Sequence, residues 1–396
     1  MPSLREQLER MSVLVADCGD YRTVERFRPR DVAVTASFLS NSAQLPEHTV
    51  IVDEGLRWAT RAAAATTDRP RADRVVGLAI DWLAFQLGLK VLNVIPGRIS
   101  VEIDARLAGN SPAIIERSRW LLTHFDSAGI PRSRVLVRVP GTWEGIRAVE
   151  QLEREGIHTA VTLVFGMHQA VAAAEAKATV ITPLVGRIVD WHRKMSGAES
   201  YPASEDPGVS LVKRMYNYIK QHGYGTEVMA GSFRNVEEVT ELAGCDRLLV
   251  APNFLAGLGM TDAPLARRLH PQAVPGANMP RIAIDESSYR AQHAADAMTR
   301  EKLAEGLHGF GRAALALEKQ IGERLDMMTD GKKRNLAREI FEVFDLDADG
   351  VITREEWGGA TAVFDALDTD GDGRITADEV AVGLGSAFRL SERIIL

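Results

Sequence analysis

Cysteine is nearly absent: Cys18 and Cys245 are the only two in 396 residues. Two thiols cannot build a disulfide framework, so the chain fits a reducing compartment, and each is read as a plain buried or half-buried group. Positive charge is not in excess either. A formal net charge of −7 offers no basic footprint for nucleic acid or an anionic membrane. No apolar run approaches the length needed to span a bilayer. The N-terminal "MPSLREQLERMSVLVADCGD" carries charges through its first ten residues with only a short apolar run after them, unlike a secretory signal. These absences together predict a cytoplasmic protein with neither nucleic acid nor membrane among its partners. No G-x-G-x-x-G turn follows an early strand, which counts against an open dinucleotide-binding sheet, and no organic cofactor is expected.

What the chain does contain is a regular alternation. Apolar segments that read as strands occur at "VLVAD" (13 to 17), "VAVTAS" (32 to 37), "RISVEID" (98 to 104), "RVLVRV" (134 to 139), "AVTLVF" (160 to 165), "TVITPLVG" (179 to 186), "EVMAGS" (227 to 232) and "RLLVAP" (247 to 252). Between most of them lie amphipathic stretches with helical spacing, such as "SPAIIERSRWLLTHFDSAG". Eight strands alternating with helices over about 300 residues predict an α/β fold, a closed (β/α)8 barrel of the TIM type. Chemistry then belongs at the C-terminal ends of the strands.

Those ends carry Asp17, Thr35, Glu102, Arg138, Thr162 and Thr182, then Arg187, Ser232 and Arg234. Two guanidinium groups with a serine hydroxyl, Arg187, Arg234 and Ser232, match phosphate oxygens two at a time. Asp17 and Glu102 are the carboxylates placed for acid/base work. His158, His168 and His192 lack metal-ligand spacing and are read as surface or loop residues, and the tyrosines of "MYNYIKQHGYG" as packing.

Taken in order, "LVADCGD", "PGRISVEIDARL", "TWEGIRAVEQLEREGI", "VGRIVDW", "EDPGV" and "GSFRNVEEVTELAGCDRL" resemble the transaldolase family over about residues 10 to 320. The resemblance implies a barrel in which a lysine on the fourth strand forms a Schiff base with a ketose phosphate. It places the acid/base pair on Asp17 and Glu102 and the phosphate-binding residues on Ser232, Arg187 and Arg234. Barrels of this family are often homodimers.

The departures from that pattern are specific. Arg138 stands where the resemblance puts the lysine, and a guanidinium stays protonated with its lone pairs delocalised, so it cannot form an imine. None of the nine lysines lies at the C-terminal end of a predicted strand: Lys177 precedes the sixth strand and Lys194 falls in a loop. Asparagines expected on the second and fifth strands are replaced by Thr35 and Ala160, and Leu184 replaces an aromatic residue. Arg138 therefore reads either as a third cation holding a ligand anion or as an ion-pair partner of Asp17 or Glu102. From these changes the leading expectation is a repurposed barrel, acting without a Schiff base on a phosphorylated or diphosphorylated small molecule by transferase or lyase chemistry. Two other readings stand beside it: a genuine transaldolase using an unforeseen lysine, and a non-catalytic, Ca²⁺-responsive phosphate-ligand binding protein.

Beyond the barrel (1 to 325) and a polar linker (326 to 335), the composition shifts. Residues 334 to 396 hold 14 acidic and 6 basic side chains, a formal −8 that leaves the barrel near neutral. "DLDADGVITREE" from Asp345 and "DTDGDGRITADE" from Asp368 each place Asp at positions 1, 3 and 5, Gly at 6 and Glu at 12, the oxygen-rich spacing of an EF-hand loop. The expected Ca²⁺ ligands are Asp345, Asp347, Asp349, the Val351 carbonyl, Glu356 and, through water, Thr353. In the second loop they are Asp368, Asp370, Asp372, the Arg374 carbonyl, Glu379 and, through water, Thr376. The pair (336 to 396) is expected to be a small all-α unit holding two Ca²⁺ ions in a structural role, with "TREEWGGATAVFDAL" as one element bent at Gly358 and Gly359.

Overall fold

In the computed structural model, which describes residues 2–65, 71–271, 279–347, 349–359 and 361–380, the eight apolar segments close into a barrel. The strands are β1 (Val13–Ala16), β2 (Asp31–Val34), β3 (Ile99–Glu102), β4 (Val135–Pro140), β5 (Thr159–Val164), β6 (Val180–Pro183), β7 (Glu227–Gly231) and β8 (Arg247–Val250). All pair in parallel in sequence order, and β8 closes onto β1, so the (β/α)8 expectation holds. Two segments are shorter than their apolar runs suggest. "VAVTAS" ends at Val34 because the Thr35 hydroxyl caps the helix Ala36–Ala43 by accepting from the Phe38 N–H. Likewise "TPLVG" turns into the helix Val185–Ser196, which places Arg187 in a helical first turn rather than at a strand end, and makes Lys194 helical rather than part of a loop.

Side chains alternate across a strand, and in a closed barrel one set fills the interior. Val15, Ala33, Leu136, Ala160, Val180, Met229 and Leu249 pack as one buried cluster and form an apolar floor. Two residues on, the same face presents Asp17, Thr35, Arg138, Thr162 and Thr182. The register that aligns Ala33 with Ser100 and Ser100 with Leu136 puts Glu102 beside Arg138. A polar layer therefore lies directly on the apolar floor.

The opposite end of the barrel is closed by charge. Arg247 and Asp31, each 5% exposed, form an ion pair, and Glu227 accepts from Arg247 Nε at 2.6 Å and from Arg98 Nη2 at 2.8 Å. Asp31 also accepts the Arg98 backbone N–H at 2.9 Å, so three strand starts and the residue preceding β3 are tied together.

Several expectations change here. The helix Ala72–Val94 is long and apolar enough to cross a membrane by length and composition, with a mean hydropathy of 1.7; Asp81 and Lys90 break its apolar run in sequence, and 56% of the window is buried inside the protein. The linker at 326–335 lies inside one helix, Ala297–Phe344: it has no proline, its Met, Lys and Arg are good helix formers, and the weaker Asp, Thr, Asn and Gly331, the last costing about 1 kcal/mol, do not break it. By contacts the chain divides into Met1–Lys319 and Gln320–Leu396. Within the second unit, β9 (Val351–Thr353) and β10 (Arg374–Thr376) form a short antiparallel ribbon between the two loops. A core of Ile352, Phe364, Leu367, Ile375 and Val380 holds it together. Its connecting segment is not one helix: a seven-residue helix, Thr361–Leu367, follows Gly358 and Gly359. Residues 381–396 of the expected calcium unit lie outside the described residues.

Removing the Asp31 charge leaves Arg247 with Glu227 alone and unpairs its buried Nη1. Asp31→Asn is expected to destabilise the barrel by about 3 kcal/mol in urea unfolding while leaving the chemistry at the far end intact.

Candidate active site and metal-binding loops

Arg138 is 4% exposed. Its Nη2 donates to Thr162 Oγ1 at 3.1 Å, while Nε and Nη1 meet no acceptor. Among the described residues no carboxylate comes within ion-pair distance of it, so the expected alternative of a pair with Asp17 or Glu102 is not what the chain builds. Both carboxyls nevertheless feel the guanidinium. Glu102 has its pKa pushed up to about 7 by loss of hydration, against the pull of Arg138 and of the Ala36 N–H that it accepts. Asp17 keeps solvent access at the mouth, and the barrel wall raises its pKa in the same sense, with Arg138 opposing. Thr182 is fully buried and its hydroxyl is unpartnered.

Thr162 reaches Arg138 because the β4–β5 ladder stays in register, Arg138 beside Ala160 and Pro140 beside Thr162, and β5 turns irregular only on its β6 side. There the ladder shifts register between Val161 and Val164, and Leu163 takes a φ of 56°, a conformation rarely adopted by a residue of its size. Thr162 stays in contact with Arg138 while Leu163 packs with Phe165, Leu184 and Ile188.

The phosphate end assembles across a glycine. A Cβ at Gly186 would lie 2.3 Å from the Ser232 carbonyl oxygen and 2.8 Å from Arg234 Cγ and Nη1, so only glycine lets the helix Val185–Ser196 approach the loop after β7 this closely. Arg234 is neutralised by Asp190 at 2.7 Å. Among the described residues Arg187 has no such partner at contact distance: burial lowers its pKa, Glu305 opposes this, and Arg234 adds repulsion. It lies 5.9 Å from the centre of the Phe310 ring. Thus Ser232, Arg187 and Arg234 come together as expected, Asp17, Glu102, Arg138, Thr162 and Thr182 share the polar layer, and Thr35 spends its hydroxyl on a helix cap.

Sequence reading missed Gly186, Asp190, Glu305 and Phe310. Asp190 stands three residues after Arg187, a helical spacing that could have flagged it; nothing local marks the other three. His168 is not a surface residue: it is 3% exposed, its Nε2 is 3.3 Å from His293 Nδ1, and burial pushes its pKa down to about 4.

In the second unit, carboxylate oxygens of Asp345, Asp347 and Asp349 all lie within 4.8 Å of one another, as do those of Asp368, Asp370 and Asp372. Gly350 and Gly373 make the sharp turns at φ of 89° and 81°. Glu356 folds back to accept N–H bonds from Leu346 and Thr353, and Glu379 does the same with Thr369 and Thr376, which holds the Glu379 pKa at about 2. The donor sets are hard oxygens converging on one point, which fits a calcium ion. Thr353 and Thr376 turn their hydroxyls to these glutamates at 2.7 and 2.9 Å, and Val351 and Arg374 open the two ribbon strands.

The comparisons agree with this division. The family model described as Transaldolase/Fructose-6-phosphate aldolase matches residues 14–321, and the EF hand model matches 337–358 and 361–381. The chain belongs to the transaldolase/fructose-6-phosphate aldolase family and carries an EF-hand domain at its C-terminal end. A relative from Thermosynechococcus vestitus named "Transaldolase" is 46% identical over 98% of this chain and 99% of its own length. One of the same name from Gloeobacter violaceus is 48% identical over 98% and 99%. A third, from Trichormus variabilis, is 47% identical over 82% of this chain and 96% of itself. These relatives overturn the expectation of a repurposed barrel for a diphosphorylated substrate: the loss of one lysine and two amides weighed too heavily against a likeness that runs the length of the chain.

Glu102→Gln is expected to lower kcat about 10²- to 10⁴-fold and to remove the limb of the pH–rate profile near pH 7. The same change should raise relative stability at alkaline pH. Because the folded pKa lies above the ordinary 4.5, the wild type loses stability as pH rises from 4.5 through about 7. The advantage of the glutamine variant in thermal unfolding is thus largest near pH 8 and absent below pH 4.

Proposed function

We propose that the protein catalyses transfer of a dihydroxyacetone unit between sugar phosphates, the transaldolase reaction. The observation that carries this is the likeness to relatives named transaldolase over 98% of the chain. The site supports it in its own terms. Arg187, Ser232 and Arg234 hold the substrate phosphate, the polar layer takes the sugar body, and Glu102, with a pKa at about 7, gives and accepts a proton at neutral pH without a large driving force either way.

The imine implied by the family resemblance needs an amine, and β4 supplies a guanidinium in its place. Among the described lysines, Lys213 pairs with Glu241 and Lys220 with Asp246, and Lys90 lies over the Tyr21 ring. Lys302 differs: it pairs at 2.7 Å with Glu305, whose charge acts on Arg187, and the next helical turn brings Gly306 against Leu163. Incubating the wild type with fructose 6-phosphate and an aldose phosphate acceptor should yield the transferred ketose phosphate. Borohydride trapping with peptide mapping then locates the amine. Absence of both transfer and adduct, with a control transaldolase active in parallel, would defeat this reading.

We further infer that the two EF-hand loops bind one Ca²⁺ each through the carboxylates described above. Calorimetry after chelation should count two ions per chain, with Glu356→Gln and Glu379→Gln each losing one. At a hundredfold excess over Kd each ion stabilises its unit by about 2.7 kcal/mol; identical unfolding curves with Ca²⁺ and with chelator would contradict this.

A further inference from the structure

Seven buried side-chain polar atoms among the described residues lack a hydrogen-bond partner, and four of them belong to the polar layer: Arg138 Nε, Arg138 Nη1, Glu102 Oε2 and Thr182 Oγ1. Buried polar groups are nearly always paired, and an uncompensated buried charge is far more costly than an unpaired amide. The fold has carboxylates at hand to neutralise Arg138, with Glu102 its direct neighbour across the β3–β4 ladder, and yet forms no ion pair. The guanidinium is held instead by one neutral hydroxyl, Thr162, set beside it by the regular β4–β5 ladder. A group fixed so firmly and left with most of its donors free is preorganised for an acceptor that the chain does not itself supply.

Two features define that acceptor. Guanidinium only donates, so its partner must offer lone pairs. Carboxyl groups on β3 and just past β1 would repel a doubly charged phosphate, and the phosphate cradle is already built elsewhere, from Arg187, Ser232 and Arg234. A neutral ketone oxygen meets both conditions, and hydroxyls on the adjoining carbons would donate to the open atoms of Glu102 and Thr182.

We propose that Arg138 anchors the carbonyl oxygen of an α-hydroxyketone phosphate, binding it through the Nε–H or Nη1–H at the centre of the polar layer. The identity of the substrate body rests on the transaldolase reading; the anchor itself rests on the unpartnered guanidinium. No covalent step is assigned to Arg138. Its contribution is to orient the ketone and draw electron density toward oxygen, which makes the carbonyl carbon more electrophilic.

Isotope-edited infrared spectroscopy with dihydroxyacetone phosphate labelled with ¹³C at the ketone carbon reads this contact directly. In the wild-type protein the carbonyl band should move to lower wavenumber on binding. Arg138→Met should abolish that shift and weaken binding about tenfold, the loss of one charge-assisted hydrogen bond, while affinity for inorganic phosphate stays unchanged. An unshifted band in the wild type, as when water alone occupies the position, overturns the proposal, and so does an equal shift in Arg138→Met. If circular dichroism shows the methionine variant unfolded, Arg138→Lys decides. A borohydride-trapped adduct on the peptide containing residue 138 would show that this side chain meets the ketone; a normal band with no adduct would overturn the assignment. The two readings fail separately: transfer activity without an Arg138-dependent shift removes the anchor alone, and the shift without transfer removes the activity alone.

Discussion

A guanidinium buried without a counter-charge is the constraint around which the mouth of this barrel is organised. The apolar floor of Val15, Ala33, Leu136, Ala160, Val180, Met229 and Leu249 closes the barrel below Arg138, so water reaches it only from the mouth. Loss of hydration also raises the Glu102 pKa to about 7, so about half of it is protonated at neutral pH, and a protonated carboxyl makes a weak ion-pair partner. The same dryness thus explains both observations: the acid that could neutralise the arginine is poised for proton transfer, and the arginine stays free.

The phosphate end is arranged on a different principle. Arg234 is paired with Asp190 and fixed in place, whereas Arg187 is partly buried, close enough to Arg234 to be repelled by it, and, among the described residues, unmatched by a contact carboxylate. Gly186 is the geometric condition for this, since any side chain would push the helix away from the loop that carries Ser232 and Arg234.

Charge is handled in a third way in the EF-hand unit. Three aspartates gathered within 4.8 Å repel one another, and the loops hold their curl by turning backbone N–H groups onto those carboxylates and onto Glu356 and Glu379. The Ile352–Ile375 pairing across the short ribbon joins the two loops into one core. The acidic excess of the C-terminal segment is therefore concentrated in these two loops.

Much of this was legible in sequence because it depends on local pattern. Short continuous apolar runs marked the strands, their alternation with helices marked the barrel, and the fixed spacing of oxygen donors marked the EF-hand loops, since a twelve-residue loop brings its own donors together. Asp17, Glu102 and Arg138 stand at or just past the C-terminal ends of those runs. Other features required distant parts of the chain to meet. Arg138 meets the Thr162 hydroxyl across the β4–β5 ladder, Arg187 lies near Phe310 and Glu305 more than a hundred residues away, and His168 is buried beside His293. Thr35 and the supposed linker at 326–335 were decided by helix formation, which a capping hydroxyl and a proline-free stretch flanked by strong helix formers favour over the apolar or polar character of the segment. Sequence alone determined which residues stand at the strand ends and which loops gather oxygens; only the tertiary structure decided which of those charges are paired, because pairing depends on how far each group is removed from water.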